Sequence, residues 1–450
     1  MAKTLIIVEA PAKARHIQEF LGSSYVVKAS IGHVRELPIP KNMSKEEKER
    51  YGDYAQDLAH DFEPLYKVSA GKKKVMADLR RALKDADELI LATDPDAEGH
   101  AIAWHLLQEL KPKVPASRAT WTEITKGAVE TGLKNRERID LKKREPAEFF
   151  GQAESALTRA QWDRLYGYAT SPYLWKALKP GTSSGRVQTP GAKLVVEREE
   201  KRLAFKSVSY YSIWGEFEGQ NARLVEFAGE KIADGSKIDD EGNLKKGYVL
   251  ITDENLSGIL SELKKKSYEV GEVTSKPYRR TPPPPFTTSS ALQSIGGRTR
   301  LSAKQLTAYF QELYATDAAV TYIRTVSVVA APEAITEARA EIKRLFGAQL
   351  LPAKARVYKD KKAGNSGHEC LRPVLEDSTG KLAKRTFSDK RKQNVFDAIR
   401  LRFLASQSID CEGTTWSATF VAKDKGAKFS ASETEIHEPG WTKIYGADEE

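Results

Sequence analysis

Only two of the 450 residues are cysteine, Cys370 and Cys411, far apart and in no CxxC pattern. That excludes a disulfide framework and a cysteine-based zinc finger, and it suits a reducing compartment. Long hydrophobic runs are missing too. None approaches the length needed to span a membrane, and the N-terminal run Leu5-Ile6-Ile7-Val8 is too short for a signal peptide. A GxxxxGK motif followed by Ser or Thr does not occur, so nothing points to a P-loop ATP site. Acidic residues are in the minority: 62 Asp+Glu against 72 Lys+Arg give a net charge of +10 and a pI near 9.2. A basic excess on a large chain favours a polyanionic partner, most often nucleic acid. The length predicts roughly three domains.

What is present is concentrated in Leu89–Leu110. The run Leu89-Ile90-Leu91-Ala92 reads as a buried strand. It ends in Thr93-Asp94-Pro95-Asp96-Ala97-Glu98-Gly99, and a helical pattern follows through Ile102, Trp104, Leu106, Leu107 and Leu110. Three carboxylates thus fall at the carboxyl end of a strand, where open α/β sheets place ligands. Converging carboxylates repel unless a cation lies between them, and hard oxygen donors favour Mg²⁺. Acidic residues also serve as ordinary helix caps, and this loop alone does not choose between the two. Leu5–Val8 repeats the layout: strand, then Glu9, then a helix opened by Ala10-Pro11-Ala12-Lys13. If the two strands are neighbours in one parallel sheet, Glu9 faces Asp94, Asp96 and Glu98, with Lys13 near enough to touch a phosphate.

Residues 1–145 therefore read as one α/β domain. Residues 146–205 are helical, with Arg159, Asp163 and Arg164 at i, i+4 and i+5, a spacing that pairs the first two on one face. The loop GTSSGRVQTP at 181–190 carries Arg186 and Gln188 ahead of a helix at 191–202, a setting that suits phosphate contacts and an ordinary turn alike. Residues 206–275 alternate like strands, and 414–445 alternate again and are expected to pair with them. Pro282–Pro285 reads as a polyproline linker. Region 276–372 reads as a helical insertion on a discontinuous β-rich domain, 206–275 with 373–450, that includes a long helix at 388–408. Within the insertion, Tyr322 and Arg324 lie two apart in an extended piece, which sends both side chains to one face. A guanidinium can activate a phenol as phenolate and can clamp a phosphate. Tyr, Arg and a carboxylate-held Mg²⁺ make a phosphodiester transesterification site.

Many blocks occur in one family's order: LIIVEAPAKA at 5–14, IGHVRELP at 31–38, LATDPDAEGHAIAWHL at 91–106, EIT at 123–125, DRLYGYATSPYLW at 163–175 and SSGRVQTP at 183–190. They continue with PPPPFTTSSALQ at 282–293, TYIRT at 321–325, GHECLRP at 367–373, RFLASQS at 402–408 and PGWTKIY at 439–445. Over essentially its whole length the chain resembles the bacterial type IA DNA topoisomerases. The resemblance implies a multidomain fold, a Toprim α/β domain with helical and β-strand domains in a toroidal arrangement. It implies Tyr322 as the nucleophile that becomes joined to a 5′ phosphate, Arg324 as the stabiliser of the transition state and Glu9 as the acid/base at the leaving 3′ oxygen. Lys13 and His368 would lie at the scissile phosphate. Asp94, Asp96 and Glu98, with Glu9, would hold Mg²⁺. Arg159, Asp163, Arg164, Arg186, Gln188 and Thr325 would contact single-stranded DNA.

The implied activity is ATP-independent, Mg²⁺-dependent relaxation of negatively supercoiled DNA by a monomer in the cytoplasm, associated with the nucleoid. The alternative is a DNA-cleaving relative or fragment that does not complete strand passage. Departures from the family pattern fall at Ala97 and His100 (usually Arg and Glu), Val326 (usually Asp), Ala160, and Cys370-Leu371 and Val374. The family core is expected to continue past the last block with a helical segment that completes the groove.

Overall fold

The computed structural model describes residues 3–360, 369–376 and 379–446. Two compact units share the chain. The first comprises 1–186, 282–409 and 443–450; the second comprises 187–281 and 410–442.

The first unit opens with a five-stranded sheet ordered Tyr25–Ala29, Thr4–Val8, Glu88–Leu91, Ala116–Arg118, Glu137–Arg138. The first three pairings are parallel and the last is antiparallel. Leu5 pairs with Leu89 and Ile7 with Leu91, so the two apolar runs are neighbours, as their shared layout predicts. Both strands are buried, as expected for parallel strands covered on two faces. Leu5, Ile7, Leu89 and Leu91 pack with Ile102, Leu106, Leu107 and Leu110 of the helix Ala97–Leu110, and Phe149 and Phe150 of the helix Ala147–Ala177 close the same core. Glu9 and Asp94 thereby leave adjacent strands at the same carboxyl edge.

The first unit also holds the helices Thr288–Thr299, Ala303–Ala315, Pro332–Phe346 and Lys390–Ser406. The last of these differs from expectation. It was to belong with the β-rich region, but it turns Val395, Phe396, Ile399, Phe403 and Leu404 inward and packs on Thr288–Thr299 and Pro332–Phe346. Those helices, and not the sheet, cover its apolar face. The proline stretch also differs: Pro282, Pro283 and Pro285 are buried, and the Pro284 carbonyl accepts from Arg402 Nε at 2.9 Å. It is a packed strap at the entry to the first unit.

The second unit is a seven-stranded sheet, ordered Tyr248–Val249, Glu230–Ile232, Gln220–Phe227, Ala427–Glu438, Cys411–Ala422, Tyr268–Arg280, with Trp214–Phe217 beside Gln220–Phe227. The late strands do pair with the early ones. Residues 210–213, expected as strand, are irregular. Phe217 stacks on Phe420 at a centroid distance of 4.3 Å over a core that includes Leu224, Ile251 and Phe429. The helix Gln188–Ala204 belongs to this unit and buries none of its residues. Among the described residues, no helix is long and apolar enough to cross a membrane, and both cysteines are buried and unbridged.

Candidate active site

The acidic loop is both cap and site. Asp96 is the N-cap of Ala97–Leu110: its Oδ1 accepts from Gly99 N at 2.7 Å. Its other oxygen, Oδ2, accepts from the Tyr322 hydroxyl at 2.5 Å. The loop folds back tightly, with Thr93 Oγ1 donating to the Gly99 carbonyl at 2.6 Å. A Cβ on Gly99 would come within 2.2 Å of the Asp94 carbonyl oxygen, so only glycine fits that contact. Beneath the loop, buried Arg118 donates to the carbonyls of Asp94 (2.8 Å) and Leu91 (3.0 Å). Burial pushes its guanidinium down to about 10, against the pull of Glu9, Asp94 and Asp96.

Four carboxylates and two side-chain cations interlock here. Lys13 Nζ, from the first helix, sits between Glu9 and Asp94 and bonds to both. Arg324 Nη1 spans Asp96 (3.2 Å) and Glu98 (2.5 Å). The Glu9 carboxylate also accepts from Asp94 N at 3.0 Å. Burial first, then the Asp94 charge, raises Glu9 to about 7, and Lys13 only partly offsets this. Glu9 therefore exchanges a proton near neutral pH, where an acid/base group needs to be. Burial works to raise Asp96, but hydrogen bonds from Tyr322 and Gly99 N and the Arg324 charge hold it below the usual carboxylate range.

The structure corrects one expectation about Tyr322. Its phenol is pushed up, by burial and by Asp94 and Asp96, with Arg324 only partly opposing. Arg324 is engaged by carboxylates and does not make a phenolate; the phenol keeps its proton and shares it with Asp96. The segment 318–325 is also not a regular strand. Ala318 has φ +47°, Val320 bridges Pro373, and Tyr322 N donates to the Thr122 carbonyl at 2.8 Å. Both side chains nonetheless reach the acidic loop.

Beside Glu98 opens a cleft of about 1230 Å³, lined among others by His33, Arg35, Arg159, Asp163, Arg164, Tyr168 and Trp175. The expected pair Arg159–Asp163 is replaced by Asp163–Arg186, with Nε to Oδ1 at 2.8 Å. A loop arginine reaches the carboxylate that a same-helix neighbour was expected to take. Arg164 donates to the carbonyls of Leu37 (2.8 Å) and Pro38 (3.0 Å) and lies over the Tyr168 ring. Thr325 is buried, its hydroxyl accepting from Ser327 N at 3.0 Å, so it is not placed to meet a strand. Gln188 belongs to the second unit. His368 lies outside the described residues. Of the departures from the family pattern, His100 is buried against Phe149 and Val326 is exposed.

Two groups of residues escaped the sequence reading. Buried Arg372 pairs with Glu123 (3.1 Å) and Glu369 (2.8 Å), and Glu369 also accepts from Thr122 Oγ1 and Ala331 N. Glu123 and Arg372 lie inside quoted blocks, but nothing local joins them. The other is Tyr314, whose hydroxyl donates to Asp94 at 2.9 Å; on a helix with Leu306, Phe310 and Leu313 it reads as core.

The donor set at the loop is carboxylate oxygen throughout, which fits a hard divalent cation. With Lys13 and Arg324 between the acids, no group of three or more His, Cys, Asp or Glu among the described residues is arranged to hold a metal ion.

A mainly parallel sheet with acids at the carboxyl ends of its parallel strands, met by a buried tyrosine and its arginine, defines a Toprim-type α/β protein joined to a tyrosine-bearing helical region. The Toprim domain model matches residues 4–124 and the DNA topoisomerase model matches residues 147–450. The chain thus belongs to the bacterial type IA DNA topoisomerase family. It is 38% identical to DNA topoisomerase 1 of Streptomyces coelicolor, over 99% of this chain and 48% of that protein. It is 36% identical to the Synechococcus elongatus protein of the same name, over 99% of this chain and 50% of that one. The full-length topoisomerase I structure from Thermotoga maritima matches with a TM-score of 0.75 at 28% identity, over 99% of this chain and 68% of that chain. The chain spans about half the length of the curated relatives it matches.

Proposed function

We propose that this protein is the catalytic part of an ATP-independent type IA DNA topoisomerase that relaxes negatively supercoiled DNA. The observation that carries the reading is the Tyr322 hydroxyl on Asp96, with Arg324 spanning Asp96 and Glu98. Tyr322 Oη attacks the phosphorus of one strand. The new Oη–P bond forms as the P–O3′ bond breaks, and the strand's 5′ phosphate stays on the protein. Asp96 orients the hydroxyl, and the phenolic proton leaves to water as the Oη–P bond forms. Glu9, protonated up to about pH 7, supplies the proton to the departing 3′ oxygen. Arg324 exchanges its carboxylates for phosphate oxygens, to which its planar fork is suited, and Lys13 adds a second cation. Rejoining is the reverse, and the phosphotyrosine bond stores the energy, so ATP is not needed.

Asp94, Asp96 and Glu98, with Glu9, would hold Mg²⁺, which neutralises phosphate charge when bound. The cleft of Arg159, Arg164, Tyr168 and Trp175 would seat the single strand, with rings for stacking and cations for the backbone. The protein would act as a cytoplasmic, nucleoid-associated monomer. In domain terms, 1–145 would be the Toprim domain, 146–205 part of the DNA groove, 206–281 with 410–442 a hinge, and 282–409 the part that carries the nucleophile.

The test is relaxation of negatively supercoiled plasmid in Mg²⁺ by wild type and Tyr322→Phe. Wild type is expected to relax the plasmid and to form 5′-linked covalent DNA, and Tyr322→Phe to do neither. Cleavage surviving in Tyr322→Phe would remove the mechanism.

A further inference from the structure

Tyr314 touches the reacting groups, yet nothing above gives it a role. It lies near the end of the helix Ala303–Ala315 and is fully buried. Packing there requires a ring and no hydroxyl. The hydroxyl nonetheless donates to Asp94 Oδ1 at 2.9 Å, the oxygen that also accepts from Lys13. The Lys13 ammonium stands 4.5 Å from the centre of the Tyr314 ring. The same ring meets that of Tyr322 edge to face, with centroids 5.2 Å apart and planes at 68°. One side chain therefore contacts the acidic loop, the first helix and the nucleophile, three stretches remote in sequence. A buried phenol must spend its proton on a partner, and a carboxylate held by oriented donors keeps one rotamer.

We infer that Tyr314 is a positioning residue: its hydroxyl aims the Asp94 carboxylate, and its ring holds Lys13 and Tyr322 in register with it. This rests on the reading of Tyr322 as nucleophile and Asp94 as a cation-holding acid. Tyr314 acts through Asp94 and does not itself meet the phosphate. Tyr314 lies eight residues ahead of Tyr322, so a movement that withdraws the nucleophile with this helix would also release Asp94. The Asp94 carboxylate then has its full set of donors only when the nucleophile is in place.

Tyr314→Phe in the whole chain removes the hydroxyl and keeps the ring. Mg²⁺ titrated calorimetrically into the DNA-free protein is expected to bind about tenfold more weakly or worse, the loss typical of outer-shell partners of a metal ligand. Covalent cleavage of a single-stranded oligonucleotide stays detectable, while the Mg²⁺ concentration for half-maximal rejoining rises in parallel with the binding constant. In an Asp94→Asn background, Tyr314→Phe has no further effect. Tyr314→Leu, which also takes away the ring, lowers cleavage measured without metal because Lys13 and Tyr322 lose their wall. Unchanged Mg²⁺ binding in Tyr314→Phe overturns the inference, whether or not the melting temperature falls, since a fall alone marks an ordinary core ring. An equal loss in the wild-type and Asp94→Asn backgrounds overturns it as well. A Tyr322→Phe protein that still cleaves would instead sink the underlying reading, whatever Tyr314 does.

Discussion

At the acidic loop each charge is answered by another protein group: Lys13 by Glu9 and Asp94, Arg324 by Asp96 and Glu98, Asp96 by Tyr322. Along the neighbouring cleft the side chains face outward, with Trp175 and Tyr168 exposed and Arg159 and Arg164 lining the wall. The loop is a closed electrostatic circuit, and a substrate phosphate enters it only by displacing a partner already in place. The cleft holds lighter engagements, the Asp163–Arg186 pair and the Arg164 bonds to two carbonyls, and its rings are open to a base. Affinity for a strand is therefore expected to reside in the cleft and selectivity for the reacting geometry in the loop, so that substitutions in one leave the signature of the other intact.

The sharpest way to break this division is to empty the loop. Asp94→Ala combined with Asp96→Ala leaves single-strand cleavage detectable but stops rejoining when Mg²⁺ is added. Equal rejoining with and without Mg²⁺ in wild type would show that the acids do not serve a metal. Next in size, Glu9→Gln lowers the cleavage rate by about 10²- to 10⁴-fold, the usual worth of a general acid, with oligonucleotide affinity unchanged. Because Glu9 is raised to about 7, wild-type cleavage falls as pH climbs through that value and the protonated form is lost. The Gln variant shows no such fall. The same proton bears on stability: a carboxyl raised in the folded state stabilises below its unfolded value, and that contribution disappears as pH rises through about 7.

Arg372→Leu leaves the partly buried Glu123 and Glu369 without their cation and costs about 3 kcal/mol of stability, the low end for a broken buried pair, read by chemical denaturation. A loss under 1 kcal/mol would mean that this clasp between the Toprim loop and the helical insertion contributes little. Smallest, Trp175→Ala weakens single-strand binding by about 1–3 kcal/mol, the worth of one stacked base, with the cleavage rate at saturating DNA unchanged. A changed rate at saturation would join the cleft to the chemistry and erase the division.

How much of this could be read in advance follows the range of each interaction. The sheet neighbours Leu5–Val8 and Leu89–Leu91, with Glu9, Asp94 and Asp96 at their ends, were legible because strand, turn and helix start all lie within a dozen residues. Tyr322 and Arg324 were legible as a pair for the same reason. Asp163 was assigned to Arg159 because helix spacing sees only its own helix, while the partner, Arg186, comes from a loop 23 residues on. Tyr314 was invisible: a tyrosine among leucines on a helix looks like core until the fold sets Asp94 against its hydroxyl. The helix Lys390–Ser406 was misplaced because periodicity shows that a face is buried and says nothing of what buries it.

The bond from Tyr322 N to the Thr122 carbonyl has a consequence for the return stroke of the cycle. Under the proposed function, the 5′ end of a broken strand would travel with Tyr322 while its 3′ end would stay near Glu9, and nothing in the DNA itself would measure whether the two had come back to within bonding distance. A main-chain contact such as this one would measure it. In that cycle it would serve as a mechanical stop, built from backbone and therefore indifferent to base sequence.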